Sequence, residues 1–155
     1  MSDIRLVWSE EAQALDWAWS TSIVNGTTVT DLDCSNPIES YILLCLFTDR
    51  RAEESYTGDY KGGNWYDALD TQGSLGTRLY ELWQMPVTDK TAYEARATDF
   101  CKEGLSRAKD DGIVDDIGIT CTLISSKQLQ IIIEIQKNNQ TTNYSYMVNT
   151  TGRPS

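Results

Sequence analysis

Asp49, Glu53 and Glu54 flank Arg50 and Arg51, directly after the apolar run Tyr41-Ile42-Leu43-Leu44-Cys45-Leu46-Phe47. Two carboxylates facing each other across a cleft are the equipment of glycoside hydrolysis, one as acid and the other as base or nucleophile. The arginines oppose that use. Positive charge beside a carboxyl favours its ionised form, whereas an acid catalyst must hold a proton. The planar arginine fork pairs two-pronged with carboxylates, so the same residues suit an ion-pair network that fixes a helix end to a loop. A glycine and aromatic segment follows, Gly62-Gly63-Asn64-Trp65-Tyr66-Asp67. It lacks the Gly-Lys-Ser/Thr of a phosphate-binding loop. Its rings can stack on a sugar, or sink into the domain as a loop anchor while the glycines permit the turns.

Other chemistry is thin. The chain has four cysteines and no histidine. Cys34, Cys45, Cys101 and Cys121 are not spaced as metal ligands or redox pairs, and the last three sit in apolar patterns, where a thiol acts as a small hydrophobe. Reduced, structural cysteines are expected. Asp110, Asp111, Asp115 and Asp116 cluster around a helix end without the spacing of a calcium-binding loop, so a solvated acidic turn is expected. No catalytic, cofactor-binding or metal-ligating residue is expected.

The elements that must hold these residues come next. At 155 residues and 17.5 kDa the chain is expected to form one small domain over 1–148 with a flexible tail at 149–155. Ile4 to Trp8 alternates as a short strand. Trp17, Trp19, Ile23 and the Asn25-Gly26 pair predict a hairpin returning over Thr27 to Leu32. Asn36-Pro37-Ile38-Glu39 predicts a helix start, with Asn36 as cap and Glu39 reaching back to the free amide. That helix runs to about Thr48, apolar on all sides, and should be buried and central. Residues 52–74 read as a long loop, which in a compact domain is functional or ordered by a partner. A short helix is predicted over Leu75–Gln84. A long one follows, capped by Thr88 and ending at Gly112, with Tyr93, Ala97, Phe100, Cys101, Leu105 and Ala108 on its packed face.

The C-terminal segment alternates as β-structure. Ile117, Ile119, Cys121 and Leu123 form one strand; Leu129, Ile131, Ile133 and Ile135 form the next, with Ser125 to Lys127 as the turn. A third strand is expected over Asn143–Val148 after a polar turn at Asn138–Thr142. One face of this sheet should be core and the other mostly wet. An isoleucine-rich strand is hazardous as a free edge. Either it is central in its own sheet, or a partner supplies its neighbour by strand addition. The pattern fits both, and Asn143–Val148 is a plausible docking edge. The fold class is α+β, an antiparallel or mixed sheet packed on a buried central helix and a long helix of the C-terminal half.

The net charge is −10. Residues 1–77 hold 13 acids and 4 bases, and residues 78–155 hold 10 and 9. Such a chain repels phosphate, so nucleic acid is not an expected partner. No apolar run approaches the roughly 20 residues of a membrane span. No signal peptide is visible at the start.

The order of three pieces carries a resemblance. Leu46 to Ala52, Gly63 to Asp67 and Gly76-Thr77-Arg78-Leu79, after the strand Asp3-Ile4-Arg5-Leu6, resemble the Mu-like phage tail baseplate family called gene product 46. The likeness covers roughly residues 3 to 137, with Phe47 to Ala52 its most specific motif. Tyr66 stands where the family often has a second Trp, and Thr77 stands for Ser. The family is similar to the lysozyme-like baseplate wedge proteins of contractile tails. The resemblance implies a structural wedge subunit and sheath initiator, located in the virion tail baseplate and assembled in the host cytoplasm. Its implied partners are other wedge proteins, the tail sheath protein and tail tube or hub proteins, without nucleic acid or membrane insertion. Asp49, Arg50, Arg51, Trp65, Asp67 and Arg78 would clasp the loop to the helix. Leu129, Ile131, Ile133, Ile135, Tyr144 and Tyr146 would belong to the sheet edge that engages neighbours. The rivals are a peptidoglycan-cleaving enzyme using Asp49, Glu53 or Asp67, and a carbohydrate-binding module using Trp65 and Tyr66.

Overall fold

The computed structural model describes residues 5–32, 36–64, 67, 69 and 75–150, with backbone alone at 31–32. The chain is α+β. In order it forms β1 (Leu6–Ser9), β2 (Ala14–Trp17), β3 (Trp19–Val24), β4 (Thr27–Leu32), α1 (Pro37–Phe47), α2 (Leu79–Trp83), α3 (Lys90–Asp110), β5 (Asp116–Ser125), β6 (Gln128–Lys137) and β7 (Gln140–Asn149). The strands make three antiparallel sheets, β1-β2, β3-β4 and β5-β6-β7. The expected first strand is therefore one arm of its own hairpin. Trp17 sits on β2, outside the β3–β4 hairpin predicted for it.

Local chemistry explains α1. Asn36 caps it by accepting the Glu39 amide at 3.2 Å, and Pro37 takes the first helical position, where no donor is needed. Glu39 does not return to a backbone amide. Its carboxylate accepts from the Asn36 side chain at 3.0 Å and from Arg5 at 3.1 Å, which ties the cap to the start of β1. Ile42, Leu43, Cys45 and Leu46 are buried, but Leu44 is 41% exposed, so the helix is not covered on every side. Trp8 of β1 stacks on Phe47 with centroids 3.8 Å apart, and Phe47 meets Tyr146 of β7 edge-on.

α3 is capped by Asp89, one residue later than expected. The aspartate accepts from the amides of Thr91 (2.9 Å) and Ala92 (3.2 Å). Tyr93, Ala97, Phe100, Cys101, Leu105 and Ala108 form its buried face as the spacing requires, joined by Gly104. Arg107 and Lys109 lie in the last turn, where positive charge suits the helix dipole. No helix of the described residues is long and apolar enough to cross a membrane.

The three-stranded sheet corrects one expectation. β6 lies between β5 and β7, so the isoleucine strand is central and no edge. Leu129, Ile131, Ile133 and Ile135 are 0–3% exposed and face the core, while Gln136 and Glu134 face water. β7 begins at Gln140, earlier than predicted. Asn138 and Asn139 both take positive φ, +52° and +61°, and make a two-residue hairpin that leaves no room for a longer turn. Asn149 and Thr150, assigned to the tail, are held in place. Asn149 ends β7, and the Thr150 amide reaches Lys127 O at 2.9 Å. Residues 151–155 lie outside the described residues.

Candidate functional site

The charged segment after α1 is organised around one short rung. Asp49 and Thr77 form a parallel β-bridge. Arg50 N donates to Thr77 O and Thr77 N donates to Thr48 O, both at 2.9 Å. The Thr77 hydroxyl donates to Leu46 O at 2.7 Å. Helices end with carbonyls that lack an intrahelical partner. Thr77 satisfies one of these on α1 with its side chain and a second, just beyond the helix, with its amide.

Two glycines permit that approach. Gly76 has φ +101°, and a Cβ there would lie 2.4 Å from Thr48 O. Gly104 on α3 sits where a Cβ would lie 2.3 Å from Thr77 Cγ2. α3, the end of α1 and the 76–77 segment thus meet backbone to backbone.

The loop is tied to this rung from the outside. Asn64 Nδ2 donates to Asp49 O at 3.1 Å and Leu75 O at 3.2 Å, bridging the two arms. Asn64 N donates to Asp67 Oδ2 at 3.0 Å, and Asp67 pairs with Arg51 at 3.7 Å. Tyr60 donates to Asp49 Oδ2 at 2.8 Å. The Tyr80 hydroxyl lies 2.8 Å from Arg50 O and 3.2 Å from Lys61 O, sharing its proton between two loop carbonyls. Burial, with Glu81 and Asp49 adding, raises Tyr80 far above the usual phenol range, so it remains a donor. The rings of Tyr56 and Tyr60 meet Tyr80 edge-on.

Arg78 is the hub of the ion pairs. Its Nε donates to Glu103 at 3.0 Å, and its Nη1 lies 2.9 Å from Glu53 and 3.8 Å from Glu81. The guanidinium covers the ring of Phe100 at 5.1 Å. The other oxygen of Glu103 faces Arg50 at 3.6 Å. Glu81 is 4% exposed, and its Oε1 accepts no hydrogen bond. Burial raises its carboxyl above the ordinary range, against the pull of Arg78 and Arg96.

Five of the six predicted clasp residues, Asp49, Arg50, Arg51, Asp67 and Arg78, come together here. Trp65 lies outside the described residues, as does Tyr66. Thr77, Tyr80, Asn64 and Glu103 complete the clasp without having been singled out as its members. Gly104 did leave a signal, since glycine inside a helical pattern often marks a close packing contact. The Asp110–Asp116 cluster is a paired turn. Lys109 meets Asp116 at 2.9 Å, Arg107 meets Asp111 at 3.2 Å, and Asp115 accepts from Asn138 N at 2.7 Å.

The predicted interface residues divide. Leu129, Ile131, Ile133 and Ile135 are core. Tyr146 is core as well, and Tyr144 is half-buried with its hydroxyl 3.3 Å from Asn36 Nδ2. β7 is nonetheless an edge strand. Part of that edge is covered, because Met147 O accepts from Trp8 Nε1 (3.0 Å) and Gln13 Nε2 (3.4 Å), and Asn149 N donates to Gln13 Oε1 (2.7 Å). On the opposite edge Glu94 of α3 accepts the Leu123 amide at 2.7 Å.

The β3–β4 hairpin has no such cover. Every side chain from Trp19 to Thr30 is exposed, Ile23 by 77% and Trp19 by 62%. Trp17 to Thr30 contains no charged residue. Asn25 and Gly26, at φ +51° and +79°, make the turn, so Val24↔Thr27 is the closing hydrogen-bonded pair. Alternation then points the backbone of Thr21, Ile23, Thr28 and Thr30 outward, and among the described residues no strand pairs with either outer edge.

The family model described as phage protein GP46 matches residues 38–142, from the first turn of α1 into β7. The match spans the clasp and more than half of the chain, and the chain belongs to that family. No curated protein matches it.

Proposed function

We propose, with membership of the phage protein GP46 family as the premise, that this phage protein is a structural subunit of a contractile tail baseplate. In this reading it is a wedge component that docks the first sheath ring and does no catalysis. The observation that carries the proposal is the division of the molecule. A cross-braced body, locked by the Thr77 rung and the Arg78 hub, holds a hairpin that is uncharged from Trp19 to Thr30 and whose two outer edges pair with no strand among the described residues. Natural edge strands are blunted by charge, proline or cover; β3 and β4 carry a single charge, Asp31 near the base of β4, and no proline, and among the described residues no strand pairs with either outer edge. Edges of that kind suit strand addition by a neighbouring subunit, with alternate side chains setting specificity. The wedge proteins, the sheath protein and the tube or hub proteins are the proposed partners. The acidic charge disfavours nucleic acid.

The clasp carboxylates fit a brace better than a hydrolase. Asp49 accepts from Tyr60, Glu53 and Glu103 face Arg78, and Asp67 faces Arg51. Each carboxylate is thus engaged by a partner within the brace, and none of these contacts sets two carboxylates facing one another across an open cleft.

The test is particle assembly from genomes carrying Arg50→Ala, for the clasp, and Ile23→Lys, for the hairpin edge. Loss of sheathed tails in both supports the reading, and normal contractile tails from both overturn it. A turbidity assay of purified protein on peptidoglycan separates the enzymatic rival: clearing that Glu53→Gln abolishes would establish it.

A further inference from the structure

Cys101 on the buried face of α3 and Cys121 on β5 bring their sulfurs to 3.9 Å from one another, inside the core and 20 residues apart in sequence. Cys101 is 0% exposed and Cys121 is 6% exposed. Neither has a role in the clasp or in the hairpin. Cys45 on α1 is also buried, yet its thiol neighbour is the Tyr41 hydroxyl, and burial pushes it up to about 11, which makes it inert. A cysteine pair in sulfur contact across two elements is a different object from a lone buried thiol.

We infer that Cys101 and Cys121 are a latent crosslink, free thiols during folding that a small peroxide converts into a disulfide joining α3 to β5. The two sulfurs are not equivalent. Cys121 is the one with an opening to solvent, and with Cys101 as donor of the shared S–H···S contact its thiol lies below the ordinary range, while that same contact and burial hold Cys101 above it. Cys121 is therefore the nucleophile. Its thiolate attacks one oxygen of hydrogen peroxide, the O–O bond breaks, and hydroxide leaves and takes up the proton that the Cys121 thiol gave up, forming water and a sulfenic acid. The Cys101 sulfur then attacks Cys121 Sγ, the S–O bond breaks, and the Cys101 proton leaves with the hydroxyl as a second water. Two thiols are oxidised, one peroxide is reduced, and two waters form. Peroxide is close to water in size, so it reaches a site with the small opening at Cys121 through local fluctuation of the strand.

The placement gives the bond a purpose. α3 carries Glu103 and Gly104 of the clasp, and β5 is the strand of the three-stranded sheet that packs on α3. A covalent tie there fastens the clasp side of the body to its sheet. On the proposed role in the virion, the protein would fold in a reducing cytosol and work after release into an oxidising medium, which is when the tie would close.

The experiment treats folded, reduced protein with hydrogen peroxide, quenches it, and alkylates it in denaturant. The expected result is two fewer alkylated cysteines out of four and an intact mass about 2 Da lower before alkylation. A peptide carrying Cys101 should be recovered linked to one carrying Cys121. The double variant Cys34→Ser/Cys45→Ser should keep the full response, and this variant leaves the pair itself untouched. Cys121→Ser should abolish it. Four alkylated cysteines after treatment, a linkage involving Cys34 or Cys45, or conversion of Cys121 to sulfinic acid without a link would each overturn the inference.

Discussion

Gly104 lies against Thr77 with no space for a methyl group between them, since a Cβ at 104 would stand 2.3 Å from Thr77 Cγ2. Gly76 O and Cys45 O close the remaining sides at 3.0 and 3.2 Å. Alanine in place of glycine inside a helix ordinarily gains about 1 kcal/mol. Here the sign should reverse. Gly104→Ala is expected to cost about 1–3 kcal/mol in urea unfolding, as overpacking does. Any gain would mean that α3 does not press on the 76–77 segment.

Arg78 joins three carboxylates, one of them buried. Arg78→Met keeps an apolar stem but removes the guanidinium that covers Phe100 and leaves Glu81 and Glu103 without their main cation, and should cost about 2–4 kcal/mol. Arg78→Lys restores the charge but loses the fork, so its loss should be intermediate. Equal stabilities for both variants and the parent would remove Arg78 from its place as hub.

Glu81 yields a pH signature. Burial raises its folded pKa above the unfolded one. Its ionisation therefore opposes folding, a cost absent below the unfolded pKa and complete above the folded pKa. Glutamine does not ionise. Relative to the parent, Glu81→Gln should gain stability as pH rises from about 4 to about 7, and the difference should fade in acid. Parallel pH profiles for the two proteins would contradict this.

Ile23→Lys and Ile133→Asp should separate docking from folding. Ile23 is exposed, so its substitution should change unfolding by no more than about 0.5 kcal/mol while blocking incorporation into the particle. Ile133 is wholly buried, and a carboxylate there should unfold the domain at a cost above about 4 kcal/mol. Circular dichroism and a sedimentation assay of assembled particles distinguish the two. A folded Ile133→Asp protein would show that β6 is not where the sheet order puts it.

What the sequence revealed follows from how local each interaction is. The cap at Asn36 and Pro37 and the Asn25-Gly26 turn involve neighbours in sequence, and both were legible. The clasp was legible in its charges, because arginines and acids crowd into a few positions. Thr77, Tyr80 and Glu103 were not, because their partners lie 19 or more residues away and many are carbonyls, which every residue has. The position of β6 was open for a related reason. Alternating isoleucines look the same in a central and an edge strand. What decides the matter is the start of β7, set by two asparagines at positive φ. Ile132 on the wetter face gave no help, since it is half-buried there.

The rung between Asp49 and Thr77 has a consequence for how this chain can vary. The excursion from Arg50 to Thr77 leaves and rejoins the body at this rung, and the braces at Glu53, Lys61, Asn64 and Asp67 hold its first part down, so freedom of length is left to the stretch between Asp67 and Leu75. Doubling such a loop costs only about 0.6 kcal/mol in closure entropy. Inserted or exchanged residues there would leave α1, α3 and the sheet undisturbed so long as Gly76 and Thr77 still close the ring. The domain thus offers a port for grafting new contacts, and its descendants can diverge in partners without refolding.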